Sequence, residues 1–225
     1  MVAAHSQTSG RGQQHTEWES EAGKNLTFSL ALRPTFLYAT QMFYLSKAVS
    51  LGVVDFLLSQ KICAAIKWPN DIYVNNQKIC GILIEQSIKG EYIAHSVVGI
   101  GLNVNQRVFE HAPNATSMLL CDETERDLEA ALRAVAAAIL HRYDFLREGI
   151  LRGKGVLRNG SPTCLQQVDS EYFSLLYRRE GFHPYMCENA HFLAKILDVE
   201  ASGELVLQKE SGEVRRFCFK EVEFC

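Results

Sequence analysis

The fold class is decided by residues 72–84, which read IYVNNQKICGILI. Two arms rich in β-branched and aromatic residues flank Asn75-Asn76, and asparagine tolerates the positive φ that a two-residue hairpin turn requires. The stretch therefore predicts a β-hairpin whose second arm extends to Ile84. Simple alternation along that arm places Lys78 on the same face as Cys80 and Ile82.

Two further strands lie on either side of this hairpin in the sequence. Residues 26–32, LTFSLAL, alternate so that their leucine and phenylalanine side chains share one face, and Pro34 ends the strand. Residues 97–104, VVGIGLNV, form a mostly apolar run, which predicts a strand buried on both faces. Gly99 and Gly101 in this run indicate that another group approaches the backbone closely.

Helical periodicity occurs in two segments. Apolar residues recur every three or four positions over residues 39–59 and again over residues 128–149. Thr124 with Asp127 resembles a capping box at the start of the second helix. Gly149 stands where a C-terminal glycine cap would lie.

The last third of the chain has a different composition. Residues 150–170 are predicted to form a loop, because they contain the turn-rich sequence RNGSPT. From about residue 188, short apolar runs alternate with Ser-Gly turns, which indicates a small SH3-like β-barrel. We therefore expect an α/β (α+β) fold, with a mixed-sheet domain over residues 1–185 and the barrel over residues 186–225.

Composition and charge exclude several classes of protein. The 225 residues are 47% hydrophobic and 22% charged, which is ordinary for a globular protein, and the net charge of −3 argues against a strongly basic nucleic-acid binder. The sequence contains no run of 18 apolar residues, so it predicts no transmembrane helix. Residues 1–5 lack the features of a signal peptide. Seven scattered cysteines without a C-x-x-C pair favour reduced thiols in a cytosol over a disulfide framework or a zinc site.

Four segments could carry chemistry, and each also has a purely structural explanation. The first is QTSGRG at residues 7–12, ahead of Trp18, where backbone N–H groups and a guanidinium could approach an anion. A flexible surface loop has the same composition. The second is KWPND at residues 67–71, where proline fixes a turn and Asn70 and Asp71 either face a ligand or cap that turn.

The other two segments lie on predicted strands. Lys78, followed by Gly81, would need an anionic partner if it were buried, or it would face water as an edge-strand lysine. In the run GIGLN at residues 99–103, the glycines leave room for a flat ligand, and Asn103 offers both a donor and an acceptor. The alternative is a core strand weakened by its glycines.

The order and spacing of these segments resemble the biotin protein ligases, also called biotin–[acetyl-CoA-carboxylase] ligases. The resemblance rests on Gly10-Arg11-Gly12 with Trp18, on KWPND, on Lys78 with Gly81, and on the strand at 99–103. It covers residues 1–147 well and the C-terminal strands more loosely. It implies that the biotin carboxylate attacks the α-phosphate of ATP, and that the biotinyl group then passes from biotinyl-5′-AMP to a lysine of a biotin carboxyl carrier protein.

The resemblance also implies roles for individual residues. Lys78 and Arg11 would be the catalytic cations that bring two anions, carboxylate and triphosphate, together. The biotin-binding positions would be Gln7, Gly10, Arg11, Gly12, Gln13, Lys78, Gly81, Gly99 and Gly101. The ATP- or adenylate-binding positions would be Arg11, Trp18, Asn70, Asp71, Lys78 and Asn103. Mg²⁺ would accompany ATP, and no protein ligand for a metal can be named.

The chain departs from the family pattern in two places. Gln13, His15 and Thr16 stand where the fullest motif has arginine, glycine and arginine, so the adenylate would be held less firmly. No Ser/Thr-Thr-Asn segment precedes Met1, so we expect an N-terminally truncated ligase with weaker biotin binding. The alternatives are an inactive biotin- or carrier-binding fragment and a lipoate-ligase-like enzyme. We expect a cytoplasmic protein without nucleic-acid or membrane partners, and the sequence leaves a homodimer open.

Overall fold

The computed structural model describes residues 1–7, 10, 18–153 and 163–225, which form two antiparallel sheets and four α-helices. The first sheet consists of β1 (Val2–Ala4), β2 (Leu26–Leu32), β3 (Ala65–Lys67), β4 (Asp71–Val74), β5 (Gln77–Lys89) and β6 (Tyr92–Leu102), in the order β1-β2-β6-β5-β4-β3. The second consists of β7 (His183–Cys187), β8 (Ala190–Val199), β9 (Leu205–Lys209), β10 (Val214–Phe217) and β11 (Glu223–Phe224), in the order β10-β9-β8-β7-β11. The predicted class, an α/β unit followed by a small all-β unit, is confirmed.

The helices are α1 (Phe43–Ser59), α2 (Met118–Asp122), α3 (Leu128–Gly153) and α4 (Thr163–Ser174), and a 3₁₀ turn (Ala39–Gln41) precedes α1. Helix α1 packs against α3, α4 and strands β3 and β4. By length and composition alone, Ala39–Ser59 could cross a membrane, but 67% of its most apolar window is buried inside the protein. A helix that is apolar on all sides and buried in this way is a core helix.

One face of the first sheet packs on the helices, and the alternation of β2 shows which. Leu26, Phe28 and Leu30 are at most 5% exposed and belong to the hydrophobic core. Thr27 and Ser29 point to the opposite face, as alternation along a strand requires. That second face is open and forms the floor of a cavity described below.

The predicted hairpin is confirmed, but its second arm has a different register. Asn75 and Asn76 have φ of 47° and 67°, the conformation expected for a two-residue turn. Ile72 pairs with Cys80 while Tyr73 pairs with Lys78, so β5 carries one extra residue at this point. This bulge reverses the alternation. The prediction that Lys78 shares a face with Cys80 and Ile82 is therefore wrong, since Lys78 lies on the cavity side with Gly81.

The predicted ends of the second long helix are also wrong. Helix α3 begins after Asp127, whose carboxylate accepts a hydrogen bond from the backbone N–H of Ala130 at 2.8 Å, so Asp127 rather than Thr124 caps it. The helix continues through Gly149 to Gly153. A Cβ at Gly149 would lie 2.5 Å from Sγ of Cys164, so glycine at this position allows α4 to pack closely against α3.

Two further predictions need correction. Residues 163–170 are helical, because Cys164, Leu165 and Val168 form a buried stripe that continues to Tyr172. Strand β6 begins at Tyr92 and is not buried on both faces, since Val97 is 45% exposed.

Candidate functional site

A cleft of about 1060 Å³ lies on the open face of the first sheet. Its floor comes from β1, β2, β5 and β6. Its wall comes from the turn at residues 67–71 and from residues 219–224, the segment that ends in β11 of the second sheet and contacts this turn. The cleft is therefore built where the two sheets meet. All four segments singled out from the sequence contribute residues to the cleft. The first of them, residues 7–12, contributes Gln7, and Trp18, which follows this segment, also lines the cleft.

Strand register brings small residues together on this floor. Ala4, Thr27, Gly101, Gly81 and Asp71 form one continuous row across five strands. The neighbouring row is Val2, Ser29, Gly99 and Leu83. Because most of these side chains are small, a flat or extended ligand can approach the sheet closely.

The main cation on this floor is Lys78. Its Nζ lies 2.7 Å from Oδ1 of Asp71, and the two side chains remain 33% and 24% exposed. The backbone of Lys78 is fixed by its N–H donating to Asn114 at 2.8 Å and its carbonyl accepting from Thr116 at 2.9 Å. Lys78 thus has the anionic partner expected of a lysine on a partly buried face and still presents its ammonium group to the cleft.

Trp18 covers part of the same floor. A Cβ at Gly101 would lie 2.4 Å from Cε2 of the indole, and one at Gly81 would lie 3.2 Å from Cζ3. Nζ of Lys78 lies 5.7 Å from the centroid of the ring. The space that was assigned to biotin above Gly101 is therefore occupied by Trp18 in this structure, whereas a Cβ at Gly99 would meet nothing closer than 3.5 Å.

The glycine-arginine segment is described only in part. Gln7 lines the cleft, and the carbonyl of Gly10 accepts a hydrogen bond from the N–H of Trp18 at 3.0 Å. A Cβ at Gly10 would lie 2.5 Å from the carbonyl oxygen of Trp18, so this close pairing of the two chain segments requires glycine. The predicted positions Arg11, Gly12 and Gln13, together with His15 and Thr16, lie outside the described residues.

The two predicted asparagines have structural partners. The Asn70 side chain donates to the carbonyl of Ile82, whose N–H donates back to the Asn70 carbonyl at 3.0 Å, so Asn70 joins the turn to β5 at the edge of the cleft. Asn103 does not line the cleft. It is 2% exposed and donates to the carbonyl of Thr116 at 2.9 Å, so it lies behind the floor and not at its surface, and its contact with the adenylate stays a prediction.

Several residues that line the cleft were not predicted from the sequence. Lys67 lies half-buried with its Nζ 3.2 Å from the hydroxyl of Tyr73 and 5.4 Å from the ring centroid of Phe224, and burial lowers the pKa of its ammonium group. The position of Lys67 within the KWPND segment could have identified it as a residue of the site. The cleft is also lined by Thr27 and Ser29, which strand alternation could have revealed, and by Phe219, Lys220, Val222, Glu223 and Phe224, for which local sequence gave no signal.

The chemistry of the site suits a magnesium-bound nucleotide better than a resident metal ion. Among the described residues, no group of three or more histidine, cysteine, aspartate or glutamate side chains could hold a metal. The carboxylates that line the cleft are those of Asp71, Glu85 and Glu223, and that of Asp71 is paired with Lys78. Mg²⁺ commonly enters protein sites on substrate phosphates with one or two carboxylates and several waters, so Glu85 or Glu223 could contribute a ligand.

The chain is similar to several known proteins. Residues 1–103 match the biotin/lipoate A/B protein ligase family. The chain is 39% identical over 157 residues to the bifunctional ligase/repressor BirA of Bacillus subtilis, a match that covers 66% of this chain and 47% of that protein. It is 32% identical over 225 residues to the biotin–protein ligase of Homo sapiens, covering 95% of this chain and 29% of that protein. The chain thus spans about half or less of the curated relatives it matches.

A solved structure shows the same fold. The biotin protein ligase of Aquifex aeolicus in complex with biotin and ATP superposes with a TM-score of 0.76 at 23% identity, and the match covers 99% of this chain and 88% of that one. At this level of identity the likeness concerns the fold alone.

Proposed function

We infer, from the premise that this chain belongs to the biotin/lipoate A/B protein ligase family, that it is an ATP-dependent biotin protein ligase. In the first step, a carboxylate oxygen of biotin attacks the α-phosphorus of ATP, the bond from that phosphorus to the β-phosphate oxygen breaks, and pyrophosphate leaves. In the second step, the ε-amine of a carrier lysine attacks the acyl carbon of biotinyl-5′-AMP, AMP leaves, and the amine loses a proton.

The observation that carries this proposal is the Lys78 ammonium group at the edge of a floor of small residues. Carboxylate and triphosphate repel each other, so adenylation requires a fixed cation near both reacting groups. Asp71, 2.7 Å away, holds the Lys78 side chain in place. Lys67 and Lys220 also line the cleft and add positive charge that would favour a triphosphate.

The family resemblance also gives roles to the other residues of the site. Arg11 acts as the second catalytic cation, and Gln7, Gly10, Gly12, Gln13, Gly81, Gly99 and Gly101 bind biotin together with Lys78. Trp18, Asn70 and Asp71 contact the adenylate. Trp18 shifts off Gly101 when biotin binds, since no ligand atom fits between the indole and that glycine.

The partner that fits this chemistry is the biotin-accepting domain of a carboxylase. Relatives from Paracoccus denitrificans and Mycobacterium tuberculosis are named biotin–[acetyl-CoA-carboxylase] ligases, at 36% and 32% identity over about half of this chain. We place the catalytic domain at residues 1–185 and an SH3-like barrel at residues 186–225. The protein acts in the cytoplasm, where carriers and ATP are available.

The decisive experiment is ATP–pyrophosphate exchange with the 225-residue chain, comparing biotin, lipoate and no added acid. Exchange that depends on biotin, followed by transfer of labelled biotin to a carrier domain, is the expected result. Exchange that depends on lipoate would instead favour the lipoate branch of the same family. Calorimetric binding of biotin without exchange would show a binding protein rather than a ligase.

A further inference from the structure

Two hydroxyl groups on the cleft floor have no part in the proposed reaction. Thr27 and Ser29 lie on the face of β2 opposite its core residues, and both line the cleft. Neither side chain has a hydrogen-bond partner among the residues that the structure describes. Their backbone positions are fixed by pairing on both sides, Thr27 with Ala4 and Gly101, and Ser29 with Val2 and Gly99. They therefore present rigidly placed polar groups to a ligand.

Their distance from the catalytic cation fits the length of the acid. Strand β2 lies two strands from β5, which carries Lys78, with β6 between them. At about 4.8 Å between neighbouring strands, the hydroxyls lie about 10 Å across the sheet from the backbone of β5. This span is comparable to the extended length of biotin from its carboxylate to its ring system. An acid held by Lys78 would thus place its ring system over β2.

The floor beside Ser29 is also accessible. Trp18 blocks the approach to Gly101, but above Gly99 a Cβ would have only ordinary contacts, with Oγ of Ser29 at 4.0 Å. A ring system can therefore reach the sheet at Gly99 with the Ser29 hydroxyl at its edge. Gln7 also lines the cleft and adds an amide.

We propose that Thr27 and Ser29 are specificity-determining residues that bind the cyclic urea of biotin through their hydroxyl groups. A hydroxyl can donate to the urea oxygen and accept from a urea N–H, whereas an acid with an apolar end would leave both hydroxyls without partners. This inference rests on the proposed ligase function and adds to it the residues of β2 that distinguish biotin from other carboxylic acids.

The test compares Thr27→Val, Ser29→Ala and the double variant with the wild-type chain. Each substitution keeps the size of the side chain nearly unchanged and removes the hydroxyl. Ser87→Ala is the matched control, because Ser87 is an exposed hydroxyl on the same sheet that does not line the cleft. Calorimetry gives the Kd for biotin, for desthiobiotin (which retains the urea but lacks sulfur) and for ATP, and thermal unfolding checks the fold.

We expect each single variant to raise the Kd for biotin about 3- to 10-fold, and the double variant more than 10-fold. The Kd for ATP and kcat at saturating biotin should not change, desthiobiotin should lose as much affinity as biotin, and Thr27→Ser should retain wild-type affinity. An unchanged Kd for biotin in the double variant would overturn the inference. So would a loss confined to biotin, which would indicate contact with the sulfur, or an equal loss for ATP. If the wild-type chain does not bind biotin at all, the proposed function itself has failed.

Discussion

Replacing Lys78 with methionine removes the cation on which adenylation depends. Methionine keeps an unbranched apolar chain of similar length but carries no charge. The backbone of residue 78 should be unaffected, since its hydrogen bonds to Asn114 and Thr116 use main-chain atoms. The variant therefore separates the charge of Lys78 from its place in β5.

The structure indicates a large effect on rate and a small one on stability. Loss of one positioned cation that stabilises developing negative charge typically lowers kcat by about 10²–10³. The Lys78–Asp71 pair is 33% and 24% exposed, so solvent screens much of its attraction, and losing it costs about 1 kcal/mol or less. For a chain of this size, that corresponds to a fall in Tm of about 2–4 °C.

The assay is biotin-dependent ATP–pyrophosphate exchange, measured together with thermal unfolding. Lys89→Met is the control, because Lys89 ends the same strand, is exposed and lies outside the cleft. We expect exchange to fall at least 100-fold in Lys78→Met and to remain at the wild-type level in Lys89→Met. Equal exchange in the two variants would refute the catalytic role. A large fall in Tm would instead show that Lys78 is mainly a structural partner of Asp71.

Three other changes test separate parts of the structure. Gly99→Ala should leave Tm unchanged, since its Cβ meets nothing closer than 3.5 Å, but should raise the Kd for biotin at least 10-fold by projecting into the floor; an unchanged Kd would place the ligand elsewhere. Biotin should change the intrinsic fluorescence of the chain as Trp18 moves off its glycine, and the change should disappear in Trp18→Phe; a signal that persists would have to come from Trp68. Lys47→Met should destabilise the fold by about 2–4 kcal/mol in denaturant unfolding, because this 2%-exposed side chain loses an ion pair and its bond to Val199; a loss below about 1 kcal/mol would contradict that role.

Local patterns in the sequence predicted the elements but not the details that shape the cleft. The alternation of residues 26–32 and the turn at Asn75-Asn76 correctly predicted β2 and the hairpin, because both depend on neighbouring residues only. The bulge that turns Lys78 toward the cleft depends on how β4 and β5 pair, and alternation along one strand cannot reveal it.

Longer-range packing accounts for the other differences. The resemblance predicts that Asn103 contacts the adenylate, whereas in the structure its side chain bonds to Thr116, in a loop whose position no local signal gives. The sequence predicts a helix end at Gly149, whereas in the structure this glycine lies inside α3 and accommodates Cys164 of α4. In both cases, the sequence identified a residue with a special role and the tertiary contact determined what that role is.

The contribution of the second sheet to the cleft depends on contacts far from the catalytic lysine. Lys47 in α1 donates to the carbonyl of Val199 at the end of β8 and pairs with Asp169 of α4, both at 2.6 Å, so one buried ammonium group joins three elements. At a second point, Nε1 of Trp68 donates to the carbonyl of Gly203 at 2.9 Å.

These two contacts fix the second sheet to the helices and to the KWPND turn, and thereby place residues 219–224 along the cleft. Phenylalanine at position 68 could not make this bond to the second sheet, since it has no N–H to donate. The turn that presents Asp71 to Lys78 is thus the same turn that holds the second sheet against the site. Weakening this junction should therefore lower activity through displacement of the cleft wall before it unfolds the chain.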